Sequence, residues 1–229
     1  MTKVVKIGGA LLENPAKAVE EIRRVAVERT AIVHGGGLQI TRMLEQMNIR
    51  SVFIDGLRVT DESTLAAVRA ALLGEVHTAL IQELRQQGFP AVGMFGLVHA
   101  SKKSGPWGFV GMNVRTDRAG LNAVLDRGQM PVIPTLAIGE DSLLNVNGDE
   151  TAAAVAVALE CSELLFLTDV EGVKNADGTV IDRSLDPGEL LKASFVSGGM
   201  VPKLKAVKAA MDAGIGLVRV GRTTFGASS

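Results

Sequence analysis

The sequence predicts an α/β protein, a three-layer αβα sandwich with a mainly parallel central sheet. Short apolar runs such as Val4 to Ile7 and Thr30 to Val33 alternate with amphipathic helical segments along the chain. These runs are apolar throughout instead of alternating, as expected of strands covered by helices on both faces. Glycine clusters, Gly8-Gly9 and Gly35-Gly36-Gly37, stand where a run ends and a helix begins. At 229 residues, 47% of them hydrophobic, the chain is long enough and apolar enough for one such core.

Val4 to Ile7 is the first strand. Asn14 then supplies an N-cap and Pro15 the first helical position of a helix reaching about Arg29. Thr30 to Val33 is the second strand, followed by His34, the three glycines and a helix to about Met47. Val52 to Ile54 is expected as a third strand. From Asp61 to about Gln87 the residues Leu65, Val68, Leu72, Val76, Leu80 and Leu84 keep a helical period, and Gly88 closes the helix. Ala91 to Phe95 is strand-like. Gly96 to Arg115 lacks helical periodicity and holds Gly105, Pro106, Gly108 and Gly111, so it is read as a β-hairpin or irregular excursion. A helix from Asp117 to Arg127 and a strand from Met130 to Pro134 follow. The helix Ala152 to Leu159 is apolar on nearly every side and is expected to be buried. Glu163 to Leu167 is a strand, and Asp169 to Asp182 is a loop or hairpin. Leu204, Val207 and Met211 line one face of a last helix, and Gly216 to Val220 is the last strand. No repeat, low-complexity tract or linker divides the chain, so a single domain over 1–229 is expected.

Composition narrows the function. The 24 Lys and Arg balance 25 Asp and Glu, so the net charge of −1 offers no general attraction to nucleic acid or to an acidic membrane surface. Phe53, Trp107 and Phe109 form no basic-aromatic stripe. The opening MTKVVKIGGALL is interrupted too early for a signal peptide, and no uninterrupted apolar stretch approaches a span of ~18–20 residues. A cytoplasmic protein is expected. Cys161, the sole cysteine, ends an apolar run and is read as a buried small hydrophobe.

The chemistry-bearing residues gather around anions. Glycine lets a backbone approach a phosphate closely, and the next helix offers free N–H groups with the positive end of its dipole. Two such clusters with Lys6 between apolar neighbours point to phosphate binding, where one cluster alone would be a tight turn. G-x-x-x-x-G-K-[ST] is absent, and no G-x-G-x-x-G follows the first strand, which disfavours P-loop ATPases and Rossmann dehydrogenases. Lys6 either snorkels to water or meets an anion. Lys203, after Gly198-Gly199, shares a helical face with Val207; alone it would be a surface lysine. Asp149, at the start of the apolar helix, fits an N-capping acid favoured by the helix dipole. Asn145 and Asn147 fit turn positions, and Arg58 fits either a surface arginine or a two-point clamp on a carboxylate. His34, His77 and His99 lack zinc spacing, and no metal-ligand cluster is visible.

Six ordered segments resemble the acetylglutamate kinases of the amino acid kinase superfamily. They are Val5-Lys6-Ile7-Gly8-Gly9-Ala10, Val33-His34-Gly35-Gly36-Gly37 and Asp55-Gly56-Leu57-Arg58-Val59-Thr60-Asp61, then Asn145-Val146-Asn147-Gly148-Asp149, Leu167-Thr168-Asp169-Val170-Glu171-Gly172-Val173 and Gly198-Gly199-Met200-Val201-Pro202-Lys203. Gly108-Phe109-Val110-Gly111 resembles that family's hairpin over the substrate. The resemblance implies phosphorylation of the γ-carboxylate of N-acetyl-L-glutamate by ATP, in arginine biosynthesis. It implies that Lys6 and Lys203 stabilise the transferring phosphoryl group, with Asp149 orienting both. Gly8, Gly9 and Gly36 would donate backbone N–H groups, Gly35 would lie by the substrate, and Arg58 and Asn145 would bind it. Asp169 and Lys174 would border the nucleotide, and Mg2+ would be held mainly by phosphates and water.

By the same resemblance, lobes 1–140 and 141–229 would take amino acid and ATP respectively. A homodimer is expected, and with only Met1 to Lys3 ahead of the first strand, no helix of the kind that accompanies arginine inhibition. Gly148 stands where an alanine is common in the family. It also occurs in relatives that phosphorylate α-aminoadipate or glutamate attached to a small acidic carrier protein, which is the alternative acceptor. A non-catalytic amino acid or nucleotide sensor is the alternative of another class; joint retention of Lys6, Asp149 and Lys203 argues against it.

Overall fold

The computed structural model describes residues 1–168, 170–184 and 186–226. Its apolar runs become β1 (Thr2–Ile7), β2 (Arg29–His34), β8 (Met130–Pro134), β11 (Glu163–Leu167) and β13 (Val218–Val220) of one eight-stranded sheet. The remaining strands are β3 (Phe53–Ile54), β4 (Leu57–Arg58), β5 (Ala91–Gly93), β6 (Val98–Lys102), β7 (Gly111–Thr116), β9 (Leu136–Ile138), β10 (Leu143–Asn145), β12 (Arg183–Ser184) and β14 (Thr223–Phe225). The helices are α1 (Pro15–Val25), α2 (Gly37–Gln46), α3 (Glu62–Arg69), α4 (Thr78–Gln86), α5 (Arg118–Leu125), α6 (Gly148–Ala158), α7 (Pro187–Lys192) and α8 (Met200–Asp212). A π-helical stretch, Ala70–His77, joins α3 to α4 without a break.

The large sheet runs in the order β12-β14-β13-β11-β1-β2-β8-β5, parallel from β13 to β5. Strand alternation sends Val4 and Phe166 to one face, where they pack with Ala152, Val155, Leu204 and Val207 of α6 and α8. Val5 and Ile7 face the other way, onto Val19 and Ile22 of α1 and Leu80 and Leu84 of α4. This is the expected three-layer arrangement. A third cluster, Ile40, Leu44, Val68 and Leu72, ties α2 to the long helix.

Several boundaries differ from expectation. The first helix ends at Val25, where Ala26 turns extended, and Thr30 hydrogen-bonds Val27 to close the turn into β2. Val52 to Ile54 is not a strand of the main sheet. Asp55 and Gly56 both have positive φ, and this turn folds β3 back on β4 as a separate hairpin. The excursion does form a hairpin, β6 with β7, inside a second sheet of order β10-β9-β6-β7. The chain also continues past Val220 into β14, which pairs antiparallel with β13.

The helix from Glu62 to Gln86 is long and apolar enough to cross a membrane by length and composition, although Arg69, Glu75 and His77 interrupt it. Half of its most apolar window is buried, and Leu72, Leu80 and Leu84 are fully enclosed by the fold. Core packing accounts for that apolarity. Cys161 is buried as expected; its thiol donates to the Glu163 carbonyl, and burial pushes it up to about 12.

Candidate active site

β1 delivers Lys6 to the carboxyl end of the sheet on the same face as Val4, toward α6. Asn147 caps α6, its side-chain oxygen accepting from the N–H groups of Asp149 and Glu150. That leaves the Asp149 carboxylate unused by the helix, so the capping role expected for this acid belongs to Asn147. Asp149 instead meets Lys6 Nζ at 2.9 Å and Lys203 Nζ at 3.1 Å. Lys203 enters from the first turn of α8 and lies over the Phe166 ring, 5.3 Å from its centroid. All three side chains are nearly enclosed. Burial alone pushes the Asp149 carboxyl up, but the two ammonium groups outweigh it and hold it below the usual range. Two cations around one anion leave a net positive charge in a sheltered place, the condition for receiving a further anion.

Backbone donors converge on the same end of the sheet. An added Cβ on Gly9 would lie 3.6 Å from the Gly37 nitrogen and 3.7 Å from that of Leu38, so the first glycine turn abuts the start of α2. Gly8 departs from expectation: its N–H already donates to the Leu167 carbonyl at 2.9 Å, extending the β1–β11 ladder. Gly35 N–H is directed at the Ile7 carbonyl at 3.4 Å. Gly9 and Gly36 show no such commitment among the described residues, which makes them the turn donors open to a ligand.

Arg58 and Asn145 lie on a second wall. The Arg58 guanidinium donates to Ser51 at 2.5 Å, to Thr41 at 2.9 Å and to the Gly37 carbonyl at 3.2 Å, and stacks over Phe53. Desolvation lowers its pKa from the ordinary value. Asn145 donates to Thr60 Oγ1 at 3.1 Å, and that hydroxyl donates to the Arg58 carbonyl. The hairpin loop docks here: Phe109 N–H donates to the Thr60 carbonyl at 2.6 Å, and Asn145 N–H to the Phe109 carbonyl at 2.8 Å. Gly108, with φ of 67°, is required at this approach, because a Cβ would run into the Thr60 backbone. Gly35, Gly36, Arg58 and Asn145 are thus gathered around the ends of β2, β4 and β10.

Lys174 is more than half exposed and 4.0 Å from Glu171. Asp169 lies outside the described residues. A groove of ≈ 1410 Å³ opens beside Asn147 and Gly198, between α6, α8 and β7, with Lys103, Arg115 and Lys205 on its walls. Among the described residues no group of three His, Cys, Asp or Glu could hold a metal ion.

Sequence reasoning missed two features. His34 and His77, read as scattered, meet at 2.8 Å beneath the second glycine turn. Gln39, the third residue of α2, has its side-chain oxygen buried without a recorded partner beside Gly36. A polar residue two positions past three glycines was the available signal for the latter; the histidine pair depends on tertiary packing and had none.

The amino acid kinase family model matches residues 1–220. An acetylglutamate kinase from Acidobacterium capsulatum is 42% identical over 236 residues, covering 96% of this chain and 90% of that protein. An acetylglutamate kinase from Methanopyrus kandleri is 39% identical over 93% of this chain and 91% of that protein. Among solved structures, a protein from Streptococcus mutans UA159 superposes with a TM-score of 0.87 at 28% identity, over 99% of both chains.

Proposed function

This chain belongs to the amino acid kinase family and is a kinase, and we propose that it transfers the γ-phosphoryl group of ATP to the γ-carboxylate of N-acetyl-L-glutamate, in arginine biosynthesis. The observation that carries this reading is the convergence of Lys6 and Lys203 on buried Asp149, at the end of a parallel sheet beside two glycine turns. The relatives named acetylglutamate kinase support the choice of acceptor.

In this mechanism a carboxylate oxygen of the acceptor attacks the γ-phosphorus. The bond to the ADP oxygen breaks, giving an acyl phosphate and ADP. The nucleophile is already ionised at neutral pH, so no protein group takes a proton from it. Lys6 and Lys203 neutralise charge spreading onto the phosphoryl oxygens, and Asp149 fixes both ammonium groups in advance. Gly9 and Gly36 N–H groups supply further donors. Arg58 and Asn145 bind the acceptor's α-carboxylate and acylamino ends, Gly35 lies beside it, and Lys174 with Asp169 borders the nucleotide. Mg2+ brought in with ATP would be held mainly by phosphate oxygens and water, as the Asp149 carboxylate is engaged by the two lysines. The acceptor is assigned to lobe 1–140 and ATP to lobe 141–229, in a cytoplasmic homodimer.

One observation favours a second acceptor. The groove beside Asn147 and Gly198 sets Lys103, Arg115, Arg118 and Lys205 against Asp55 and Glu150, a net basic lining that suits an acidic carrier presenting glutamate or α-aminoadipate. ADP release with ATP and a panel of acidic amino acids tests the proposal. N-acetyl-L-glutamate is expected to support turnover on its own; turnover with only a carrier-linked acceptor would select the second reading, and no turnover with either would contradict both.

A further inference from the structure

His34 ends β2 fully buried, and no step of the reaction uses it. Its Nδ1 lies 3.0 Å from the Gly35 carbonyl oxygen, and its Nε2 lies 2.8 Å from Nδ1 of His77. A carbonyl oxygen only accepts, so His34 Nδ1 carries the proton. In a neutral ring Nε2 is then bare and accepts, so His77 Nδ1 carries its own proton. Burial keeps both rings neutral, pushing His34 down to about 3 and His77 to about 4. The bare Nε2 of His77 faces Gly93, where an added Cβ would lie 2.6 Å away. The pair therefore has one allowed pattern of protons.

That pattern fixes the glycine turn. The Gly35 carbonyl and the Gly36 N–H belong to one trans peptide and point in opposite directions. Holding the carbonyl toward the buried imidazole aims Gly36 N–H away from it, toward the crevice where β1 and β2 end. The turn is also pressed from below: an added Cβ on Gly36 would lie 2.8 Å from Leu72 and 3.2 Å from Val76. Leu72, Val76 and His77 all belong to the π-helical stretch. Bonding from i to i+5 brings residues five apart, such as Leu72 and His77, toward one face; an α-helix at about 3.6 residues per turn would separate them.

We propose that His34 and His77 are a positioning pair for phosphoryl transfer, a relay from the π-helical stretch that holds the Gly35–Gly36 peptide so that Gly36 N–H donates to the anion in the reaction centre. The proposal rests on the kinase reading above. Two substitutions separate orientation from packing. In His34→Asn the amide nitrogen can take the place of Nδ1 and still donate to Gly35. In His34→Gln the amide reaches toward His77 and leaves the Gly35 carbonyl without its donor. Misaiming one preorganised donor is expected to cost about tenfold or more in kcat, where removing one costs ~10²–10³.

The expected result is that His34→Gln loses at least about tenfold in kcat with little change in the KM for ATP. His34→Asn should stay within about threefold of the parent, although both variants unfold at similarly reduced temperatures. Equal kcat losses in the two variants, or losses that track thermal stability, would overturn the proposal. Failure of the kinase reading is distinct, because the parent enzyme itself would then release no ADP. Should His34→Gln not fold, long-range 1H–15N spectra of the parent imidazoles at neutral pH decide the matter. Both rings are expected protonated at Nδ1, and an Nε2-protonated His34 would overturn the relay.

Discussion

Lys6 on the central strand and Asp149 in the first turn of α6 form an ion pair of 2.9 Å, and Asp149 holds Lys203 of α8 with its other oxygen at 3.1 Å. Removing either lysine leaves the carboxylate one partner, so folding is expected to survive the loss. The developing phosphoryl charge would lose one of its two cations. Lys6→Ala and Lys203→Ala are each expected to lower kcat by ~10²–10³, with thermal stability little changed. Near-normal kcat in either variant, measured by steady-state ADP release, removes that lysine from the mechanism.

Asp149 is a different case. Asp149→Asn leaves two ammonium groups facing each other in a sheltered place. Destabilisation on the order of 3 kcal/mol is expected, along with loss of rate. Urea unfolding of parent and variant at pH 7 checks it; equal midpoints and slopes would show that the carboxylate does not balance the lysines.

Arg58 is held by Ser51, Thr41 and the Gly37 carbonyl, so its position does not wait for substrate. Arg58→Ala is expected to raise the KM for the amino acid by tenfold or more and to leave the KM for ATP nearly unchanged, since a preset clamp contributes binding common to ground and transition states. Parallel increases in both KM values would remove the clamp role.

The buried histidines predict a pH window for stability. Both have folded-state pKa values below the ordinary 6.5, at about 3 for His34 and about 4 for His77. From about pH 6.5 downward the unfolded chain takes up protons that the folded chain refuses. Stability is therefore complete above that pH and falls by up to about 1.4 kcal/mol per unit for each ring, until the folded rings protonate. Asp149, held low by its lysines, adds a loss only at still lower pH, through and below the ordinary carboxylate range. Urea midpoints at pH 7 and pH 5 should differ clearly, and equal midpoints would contradict neutral burial.

Much of this was legible in the sequence for physical reasons. Short apolar runs located β1, β2, β8 and β11, because a strand covered on both faces needs no polar alternation. Lys6 stood out as a charge inside an apolar run, whereas Asp149 and Lys203 on their own read as a helix-terminal acid and a surface lysine, and only the family resemblance joined the three. What the sequence did not yield depends on packing between distant segments. Nothing local distinguishes Asn147 from Asp149 as the cap of α6, or tells that Gly8 spends its N–H on Leu167. The His34–His77 contact needs a π-helical register in a segment whose apolar period reads as an ordinary α-helix. The two-residue strands β4 and β12 escaped because so short a run carries no period.

The central claim is that one centre built on Lys6, Asp149 and Lys203 makes an acyl phosphate. Hydroxylamine trapping tests it directly, since an acyl phosphate yields a hydroxamate. With ATP and N-acetyl-L-glutamate, the parent enzyme is expected to form N-acetylglutamyl hydroxamate in step with ADP, and Lys6→Ala and Lys203→Ala should lose both products together. ADP release without hydroxamate from the parent enzyme, or hydroxamate formation undiminished in either lysine variant, would contradict it.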